Sequence, residues 1–149
     1  MSMEAELSSD NEIRRALEGA RVIAVLGAHS EASRPAFYVP DYLKAQGYRI
    51  VPVNPRLVGT SLWGEPVLAS LTEIGAPVDI VDVFRASAAL PDHVEEILAM
   101  TPRPRLVWLQ LGIRHAEVAL TLRKAGIQVV QDRCTLADHR RMGIAPVTP

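Results

Sequence analysis

Five short apolar runs, separated by polar segments, constrain the fold of this chain more than any other feature. The first lies within the stretch RVIAVLGAHSEASRP at Arg21–Pro35, and all five are rich in Val, Ile and Leu with little polar alternation. Strands of this kind are usually covered on both faces, as in a parallel sheet. The pattern therefore predicts a parallel sheet whose later four strands lie at Tyr48–Val53, Val78–Phe84, Leu106–Leu111 and Ile127–Val130.

Helices are predicted between these strands. Strands that alternate with helices imply right-handed crossovers and an open, doubly wound sheet with helices on both faces, in a strand order of about 3-2-1-4-5. The predicted fold class is therefore α/β and Rossmann-like, with one domain over residues 1–149 and its core at about 20–134. The signals for helix starts are capping boxes at Ser9–Glu12 and Ser70–Glu73 and a cap at Thr135, and the signals for helix ends are Gly47 and Gly126. A further helix is predicted at Pro91–Met100.

Length, charge and cysteine content limit the functional class. The chain has 149 residues and a net charge of −1, so no global field draws it to nucleic acid or to a membrane surface. Its one cysteine, Cys134, cannot form an intrachain disulfide, and no apolar run approaches the ~20 residues that span a bilayer. The N-terminus lacks the apolar core of a secretory signal. We therefore expect a cytoplasmic protein.

The segment after the first strand has the composition of an anion-binding turn. Gly27 directly follows the strand, where a glycine allows the backbone to turn tightly and to approach a ligand. Ser33 is expected to cap the next helix, with Pro35 in its first turn, and free N–H groups at a helix start attract phosphate. The segment is not GxGxxG, so a purely structural turn is the alternative for this loop considered alone.

Cationic side chains follow nearly every predicted strand. The carboxyl ends of parallel strands share one edge of the sheet, so a chain of net charge −1 gathers its potential cations there. Arginine donates bidentate hydrogen bonds to phosphate, and this edge therefore predicts a polyanion site, although exposed strand ends often carry Arg without any ligand. The cationic residues at this edge are His29, Arg34, Arg56, Arg85, Arg114, His115 and Arg133.

The exit from the second strand narrows the choice of ligand. An NAD site usually has Asp or Glu near the end of this strand, where the acid accepts the ribose hydroxyls. Here the exit reads Asn54-Pro55-Arg56, so the acid is missing and a cation stands where an additional ribose phosphate would bind. NADP and coenzyme A both carry such a phosphate, and the residues alone leave both ligands open.

These same residues resemble a known family. The segments VIAVLGAHSEASRP, GYRIVPVNP, SLTEI, VDIVDVFR, VWLQLGI and AGIQVVQDRC cover about residues 20–134. In order and spacing they resemble the small stand-alone CoA-binding-domain proteins of bacteria. They are more distantly similar to the N-terminal Rossmann-like domain of the succinyl-CoA synthetase α subunit. VPVNP, DVFR and WLQLGI together make a specific set of motifs.

The resemblance implies four groups of residues around coenzyme A or an acyl-CoA. One group meets the nucleotide phosphates, one flanks the adenosine end, one lines the middle of the groove and one lines its far side. His29 departs from the small or apolar residue that is common at its position in the family. In the same order, the groups are Gly27, Ala28, Ser30 and Arg34; Asn54, Pro55 and Arg56; Val83, Phe84 and Arg85; and Gln110, Gly112 and Ile113.

The resemblance implies binding rather than catalysis. It does not extend to the synthetase domain that supplies the phosphorylated histidine, so ligase chemistry is not implied. The sequence shows no metal-ligand spacing, and no catalytic Ser-His-Asp or Cys-His set can be argued from spacing. The alternatives are an NADP-dependent oxidoreductase, which would need a catalytic acid or a substrate domain, and an interaction module that has kept the fold and lost the ligand.

The remaining polar and aromatic residues are interpreted as structural. Asp79 and Asp82 lie three apart on a predicted strand and face opposite sides, which favours a strand-edge charge and a turn former over an acid pair. His93 is expected in the first turn of a surface helix, in contact with solvent. The predicted packing residues are Trp63, Trp108 and Cys134, with a reactive thiol beside cations as the alternative for the cysteine.

Overall fold

The computed structural model describes residues 3–148, which form seven strands, five α-helices and three short 3-10 helices. The strands are β1 (Val22–Leu26), β2 (Arg49–Val53), β3 (Ser61–Leu62), β4 (Glu65–Pro66), β5 (Ile80–Val83), β6 (Leu106–Leu109) and β7 (Gln128–Val130). The α-helices are α1 (Asp10–Gly19), α2 (Pro35–Ala45), α3 (Val94–Leu98), α4 (Ala116–Lys124) and α5 (Thr135–Arg141). The 3-10 helices are Pro55–Leu57, Leu71–Glu73 and Ser87–His93.

Five of the strands form one parallel sheet in the order β2-β1-β5-β6-β7, and this confirms the predicted α/β class. Apolar residues on these strands are buried on both faces, as the near-continuous apolar runs predict. The antiparallel hairpin of β3 and β4 was not predicted, because two residues per strand leave no readable periodicity. Pro52 lies in β2, an edge strand of this sheet, where a missing N–H disrupts the ladder least.

The strand order differs in detail from the predicted 3-2-1-4-5, since β5 pairs with β1 instead of lying outside β2. A right-handed crossover on one face of a sheet adds the next strand towards one edge, and a right-handed crossover on the other face adds it towards the opposite edge. The connection through α2 packs on one face, with Val39 and Leu43 buried there. The connection from β2 to β5 packs on the other face through Leu71, so the chain returns past β1. The direction in which successive strands are added to the sheet therefore reverses, and the point of reversal lies between β1 and β5.

The hydrophobic core consists of two clusters, one on each face of the sheet. Strand β1 contributes to both, with Ile23 and Val25 in one cluster and Ala24 and Leu26 in the other. The first cluster also holds residues of α1, α2 and α5, and the second holds residues of α3 and α4. Because each cluster is covered by helices, both faces of the sheet are shielded from water, and the strand ends are left as the accessible edge.

The position of β5 beside β1 is fixed by a side chain as well as by the backbone hydrogen bonds between the two strands. Asp79 Oδ2 accepts the backbone N–H groups of Arg21 and Val22 at 2.8 and 2.9 Å, just before the two strands begin. This agrees with the predicted strand-edge role of Asp79. Asp82 is different, because it lies inside β5 and is fully buried, so its interpretation as a turn former is wrong.

Several helix signals are confirmed and others are corrected. Both capping boxes form, at the starts of α1 and of the 3-10 helix Leu71–Glu73, and Gly47 and Gly126 adopt positive φ after α2 and α4. The helix predicted at Pro91–Met100 is only five residues of α-helix, because the preceding turns are 3-10. Thr135 is not a cap, since Cys134 occupies that position. Among residues 3–148, no helix combines the length and the apolar character needed to cross a membrane.

Candidate functional site

A groove of about 890 Å³ opens at the carboxyl edge of the sheet, where the exits of β1, β2, β5 and β6 meet. It lies at the reversal between β1 and β5, which is the position where open α/β sheets bind ligands. Ten of the fourteen residues predicted for the site line this groove. They are Gly27, His29, Arg34, Asn54, Pro55, Arg56, Phe84, Arg85, Gln110 and Ile113.

The other four predicted residues are not brought to the groove wall. Ala28 and Val83 are fully buried in the core, whereas Ser30 and Gly112 are exposed outside it. The backbone N–H groups of Gly27 and Ala28 both donate to Val53 O, at 2.9 and 3.3 Å. The turn after β1 is therefore closed by protein hydrogen bonds at its first two amides, and a phosphate would have to meet its later ones.

Gly27 is the residue that allows this turn. Its φ is +89°, a region that side-chain-bearing residues rarely adopt. A Cβ at this position would lie 3.1 Å from Arg85 Cδ and 3.2 Å from Phe84 O. The glycine therefore serves both the backbone conformation and the close approach of the Arg85 stem, which crosses the turn.

Two hydrogen bonds connect the loop after β1 to its neighbours. Asn54 Nδ2 donates to Ala28 O at 2.8 Å, while its Oδ1 accepts the Arg56 N–H at 2.9 Å, so one side chain joins the exits of β1 and β2. The His29 N–H donates to Ala36 O at 3.2 Å. In a regular helix that carbonyl would accept the N–H of residue 40, but Pro40 has none. The proline inside α2 thus leaves an acceptor for the loop.

Helix α2 begins at the groove without a side-chain cap. Its N-cap is Arg34, which makes no side-chain capping hydrogen bond, so the prediction that Ser33 caps the helix is wrong. Pro35 occupies the first turn, as predicted, and it lines the groove together with Ala36. Pro35 has no N–H, and the Phe37 N–H donates to Arg34 O at 2.9 Å. The helix start therefore presents the Ala36 N–H and the positive end of the helix dipole. Both features favour an anion at this end of the groove.

The charges of the groove have one sign. Among the described residues, its lining includes three arginines and two histidines but no Asp or Glu, although the whole chain has a net charge of −1. Arg34 pairs with Glu31 at 3.0 Å, but both side chains are about 60% exposed, so this ion pair is weak and open to competition. The lining histidines are His29 and His93, and the other lining arginines are Arg56 and Arg85.

Not every predicted cation reaches the groove. Arg133 is held away by ion pairs with Asp138 at 2.8 Å and Asp10 at 3.8 Å. His115 is the N-cap of α4, where its Nδ1 accepts the Val118 N–H at 3.2 Å, and it does not line the groove. Strand exits therefore carry both cations that line the groove and cations that do not, and sequence position alone does not separate the two kinds.

A buried polar network lies under the groove floor. Gln110 Nε2 donates to Asp82 Oδ1 at 2.6 Å and to Thr135 Oγ1 at 2.8 Å, and Thr135 Oγ1 donates to Asp82 Oδ2 at 3.1 Å. Burial raises the pKa of Asp82 to about 7, while the hydrogen bonds from Gln110 and Thr135 act in the opposite direction. Because both N–H groups of Gln110 point inward, its carbonyl oxygen is left as an acceptor for the groove.

Cys134 lines the groove in a half-buried position. Burial raises the pKa of its thiol, and the nearby carboxyls of Asp82 and Asp138 add to this, against the opposing effect of the N–H groups of Ala137 and Leu136. The alternative in which cations lower this pKa is therefore wrong. The thiol is protonated at neutral pH, which reduces its reactivity.

The sequence profile of the CoA binding domain matches residues 21–140, which include every strand of the parallel sheet and the whole groove. The chain belongs to the CoA-binding domain family. This confirms the resemblance of its motifs to the small CoA-binding-domain proteins.

Relatives of this CoA-binding domain share its length and its fold. The uncharacterized protein YneT of Bacillus subtilis (strain 168) is 36% identical over 131 residues, covering 88% of this chain and 94% of YneT. The solved structure of cell-free ID.343 from Thermus thermophilus is 55% identical, with a TM-score of 0.86 over 91% of this chain and 99% of that one. A hypothetical protein from Pyrococcus horikoshii OT3 is 28% identical, with a TM-score of 0.83 over 90% and 92% of the two chains.

Sequence reasoning missed several groove residues of this CoA-binding domain. His93 was expected in solvent, but it lines the groove and its side chain is only 19% exposed. A signal was present in the i,i+3 spacing of His93 and Glu96, although the spacing does not show that the pair faces Arg85. The missed apolar lining includes Tyr38 and Leu111, which are 47% and 70% exposed, together with Val39 and Leu57.

Proposed function

We propose that this protein binds coenzyme A or an acyl-CoA in the groove at the carboxyl edge of the sheet and has no catalysis of its own. The observation that carries the proposal is the groove lining of arginine and histidine without acid, in a chain of the CoA-binding domain family. A polyanion with a long neutral arm matches such a groove, because cations are gathered around apolar walls. The volume of about 890 Å³ lies at the upper end for small-ligand sites.

The diphosphate belongs at the start of α2 in this proposal. Arg34 and the uncapped helix start lie there, and both favour negative charge. His29 adds a donor, because its Nδ1 accepts the Glu31 N–H at 3.0 Å and the neutral ring then carries its proton on Nε2. Three independent donors to one anionic group support placing the phosphates at this end.

The ribose phosphate belongs at Arg56 and the pantetheine arm at the apolar wall. Arg56 lies in the 3-10 helix after β2, at the strand end where an NAD site would have an acid. The side chains of Phe84, Leu111 and Ile113 line the groove beside the exits of β5 and β6, and they offer apolar surface to an uncharged arm. The exposed Leu111 suits an acyl chain in particular, since covering it would remove apolar area from water.

The groups that line the groove support binding without catalysis. The Cys134 thiol has a raised pKa and stays protonated, so it is a poor nucleophile. The nearby carboxyl of Asp82 is fully buried below Gln110, where a ligand in the groove would not reach it. These features favour a CoA-binding protein that carries out no reaction on its ligand.

Calorimetric titration with CoA, NADP and NAD tests the proposal directly. We expect CoA to bind at least tenfold more tightly than NAD, which is ~1.4 kcal/mol, because CoA carries a ribose phosphate for Arg56 and NAD does not. Equal affinities for CoA and NAD would overturn the proposal. Tightest binding by NADP would favour the oxidoreductase, and the absence of heat with every ligand would favour an interaction module.

A further inference from the structure

A chain of hydrogen bonds runs into the groove from residues outside it. Arg85 Nε donates to His93 Nε2 at 3.2 Å, and His93 Nδ1 lies 2.6 Å from Glu96 Oε1. The second carboxylate oxygen of Glu96 accepts the Ser70 hydroxyl at 2.9 Å and the Leu71 N–H at 3.0 Å. The 3-10 helix Leu71–Glu73, helix α3 and the exit of β5 are thus linked to one groove arginine.

The protons on this chain can be assigned from its hydrogen bonds. Burial alone would raise the pKa of Glu96, but the hydrogen bonds from His93, the Leu71 N–H and the Ser70 hydroxyl outweigh it and hold the pKa below its ordinary value. An ionised carboxylate only accepts, so His93 Nδ1 donates to it. His93 Nε2 accepts from Arg85, whose guanidinium only donates. The imidazole is therefore neutral, with its lone pair directed at Arg85.

This arrangement restrains Arg85 from two sides. Its Nε–H is held by His93, and its stem lies against the turn at Gly27, where a Cβ would be 3.1 Å from Arg85 Cδ. The terminal Nη1 and Nη2 groups make no hydrogen bond to a described residue, and Arg85 is exposed at the groove. The arginine is thus fixed at its stem while four N–H donors remain for a ligand.

We propose that His93 and Glu96 are positioning residues that hold Arg85 ready for a phosphate group of the groove ligand. The inference rests on the proposed function, and it adds that affinity depends on residues that bind no phosphate themselves. A free arginine side chain has many rotamers, and immobilising it opposes binding. Restraint by His93 before the ligand arrives removes part of that penalty.

Binding measurements on matched variants test the inference. We expect Arg85→Ala to weaken CoA binding by roughly 10- to 150-fold, the range of a charge-assisted hydrogen bond, and His93→Phe by roughly 5- to 30-fold through lost restraint. His93→Gln should recover much of the loss, because its amide donates to Glu96 and accepts from Arg85. Glu95→Gln is the control for Glu96→Gln, since Glu95 lies on the same helix, is exposed and makes no side-chain hydrogen bond to any residue of 3–148.

A double-mutant cycle separates positioning from general damage. If His93 acts through Arg85, adding His93→Phe to Arg85→Ala should not weaken CoA binding further, whereas independent roles would multiply the two effects. Independent effects would overturn the inference. So would His93→Phe binding CoA as the wild type does, or Glu96→Gln behaving like Glu95→Gln. Melting curves show whether each variant is folded before its affinity is compared.

Two further measurements keep this inference distinct from the proposed function. In the ligand-free protein, the NMR signal of the Arg85 Nε–H should exchange slowly with water, and this protection should be lost in His93→Phe but kept in Glu95→Gln. Rapid exchange in the wild type would overturn the restraint whatever the ligand. If CoA fails to bind, inorganic pyrophosphate replaces it as the probe of the same variants, and absence of pyrophosphate binding as well would overturn the inference.

Discussion

Arg34 and Arg56 are exposed arginines that line the same groove at different strand exits. We predict that Arg34→Ala and Arg56→Ala each weaken CoA binding by roughly 10- to 150-fold, because each would lose a charge-assisted hydrogen bond to phosphate. Arg56→Ala should affect CoA far more than dephospho-CoA, which lacks the ribose phosphate. Arg34→Ala should affect both ligands alike, since both contain the diphosphate. Calorimetry with the two ligands measures this difference.

The control for these variants is an arginine at the opposite edge of the sheet. Arg105 is exposed just before β6, and Arg105→Ala should leave CoA affinity unchanged. Stability should change by less than ~0.5 kcal/mol in all three variants, because exposed substitutions and weak surface ion pairs contribute little. If both groove variants are folded and bind CoA as tightly as the wild type does, the phosphates do not bind at Arg34 and Arg56. Lysine at either site should rescue only in part, since it lacks the guanidinium fork.

Gly27 and Gly126 have nearly the same backbone conformation, with φ of +89° and +86°, but different surroundings. Gly126→Ala should lower the free energy of unfolding by about 1 kcal/mol, because only the left-handed conformation is penalised. Gly27→Ala should lower it by about 2–3 kcal/mol, since the new Cβ also approaches Arg85 Cδ and Phe84 O. Only Gly27→Ala should weaken CoA binding, as it displaces Arg85. Urea unfolding and calorimetry check this, and equal losses of stability would contradict it.

At the scale of elements, one side chain joins the exits of β1 and β2. Asn54→Ala removes the hydrogen bond to Ala28 O and the acceptor for the Arg56 N–H, and it should lower the free energy of unfolding by about 1–3 kcal/mol. Asn54→Asp should be at least as destabilising, because it keeps that acceptor but turns a carboxylate oxygen towards Ala28 O, which is also an acceptor. Both variants should weaken CoA binding, the aspartate also by repelling phosphate.

The matched control for Asn54 is Asn11, which is exposed on α1, makes no side-chain hydrogen bond within the described part of the chain and does not line the groove. Asn11→Ala should leave both stability and CoA affinity close to wild type. Urea unfolding gives the stabilities and calorimetry gives the affinities. If Asn54→Asp is clearly less destabilising than Asn54→Ala, the contact with Ala28 O is not what joins the two strand exits.

The sequence predicts elements well where burial or capping is local. The five sheet strands are found from their apolar runs, and the capping boxes from their spacing, because both signals lie within a few residues. The order of β2 and β5 is not found, since it depends on which face the connecting segment covers, and that is a tertiary property. The α-helix predicted at Pro91–Met100 begins only at Val94, because residues 91–93 belong to a 3-10 helix, which has no distinct hydrophobic period to read.

At the scale of the whole molecule, the edge that gathers the site follows from the topology. Parallel strands bring their exits to one edge, and this is why ten predicted residues meet in one groove although they are spread from Gly27 to Ile113. Which individual side chains reach this groove does not follow from the topology, because it depends on side-chain packing. His93 lies at the groove in contact with Arg85, at the end of a 3-10 helix, whereas Arg133 is drawn away by Asp138 and Asp10.

Asp82 makes the stability of the whole molecule depend on pH. It is fully buried in the middle of β5, with neutral partners Gln110 and Thr135 and no cation in the network. Burial raises its pKa to about 7, against an ordinary value of 3.8. Between these two values the folded protein holds a proton that the unfolded chain has released. The stabilising effect of the neutral form is therefore complete below about pH 4 and is lost as the pH rises through 7.

Asp82→Asn isolates this contribution, because the amide keeps the size and remains neutral at every pH. We predict that, between pH 4 and pH 8, the wild type loses up to about 4 kcal/mol of unfolding free energy relative to Asp82→Asn. Urea unfolding of both proteins at several pH values measures the difference, which cancels the opposite trends of other carboxyls such as Glu96. Asp92→Asn, an exposed acid beside α3, should follow the wild type throughout. If the curves of wild type and Asp82→Asn run parallel from pH 4 to pH 8, Asp82 does not titrate in this range, and the buried network does not make stability pH-dependent.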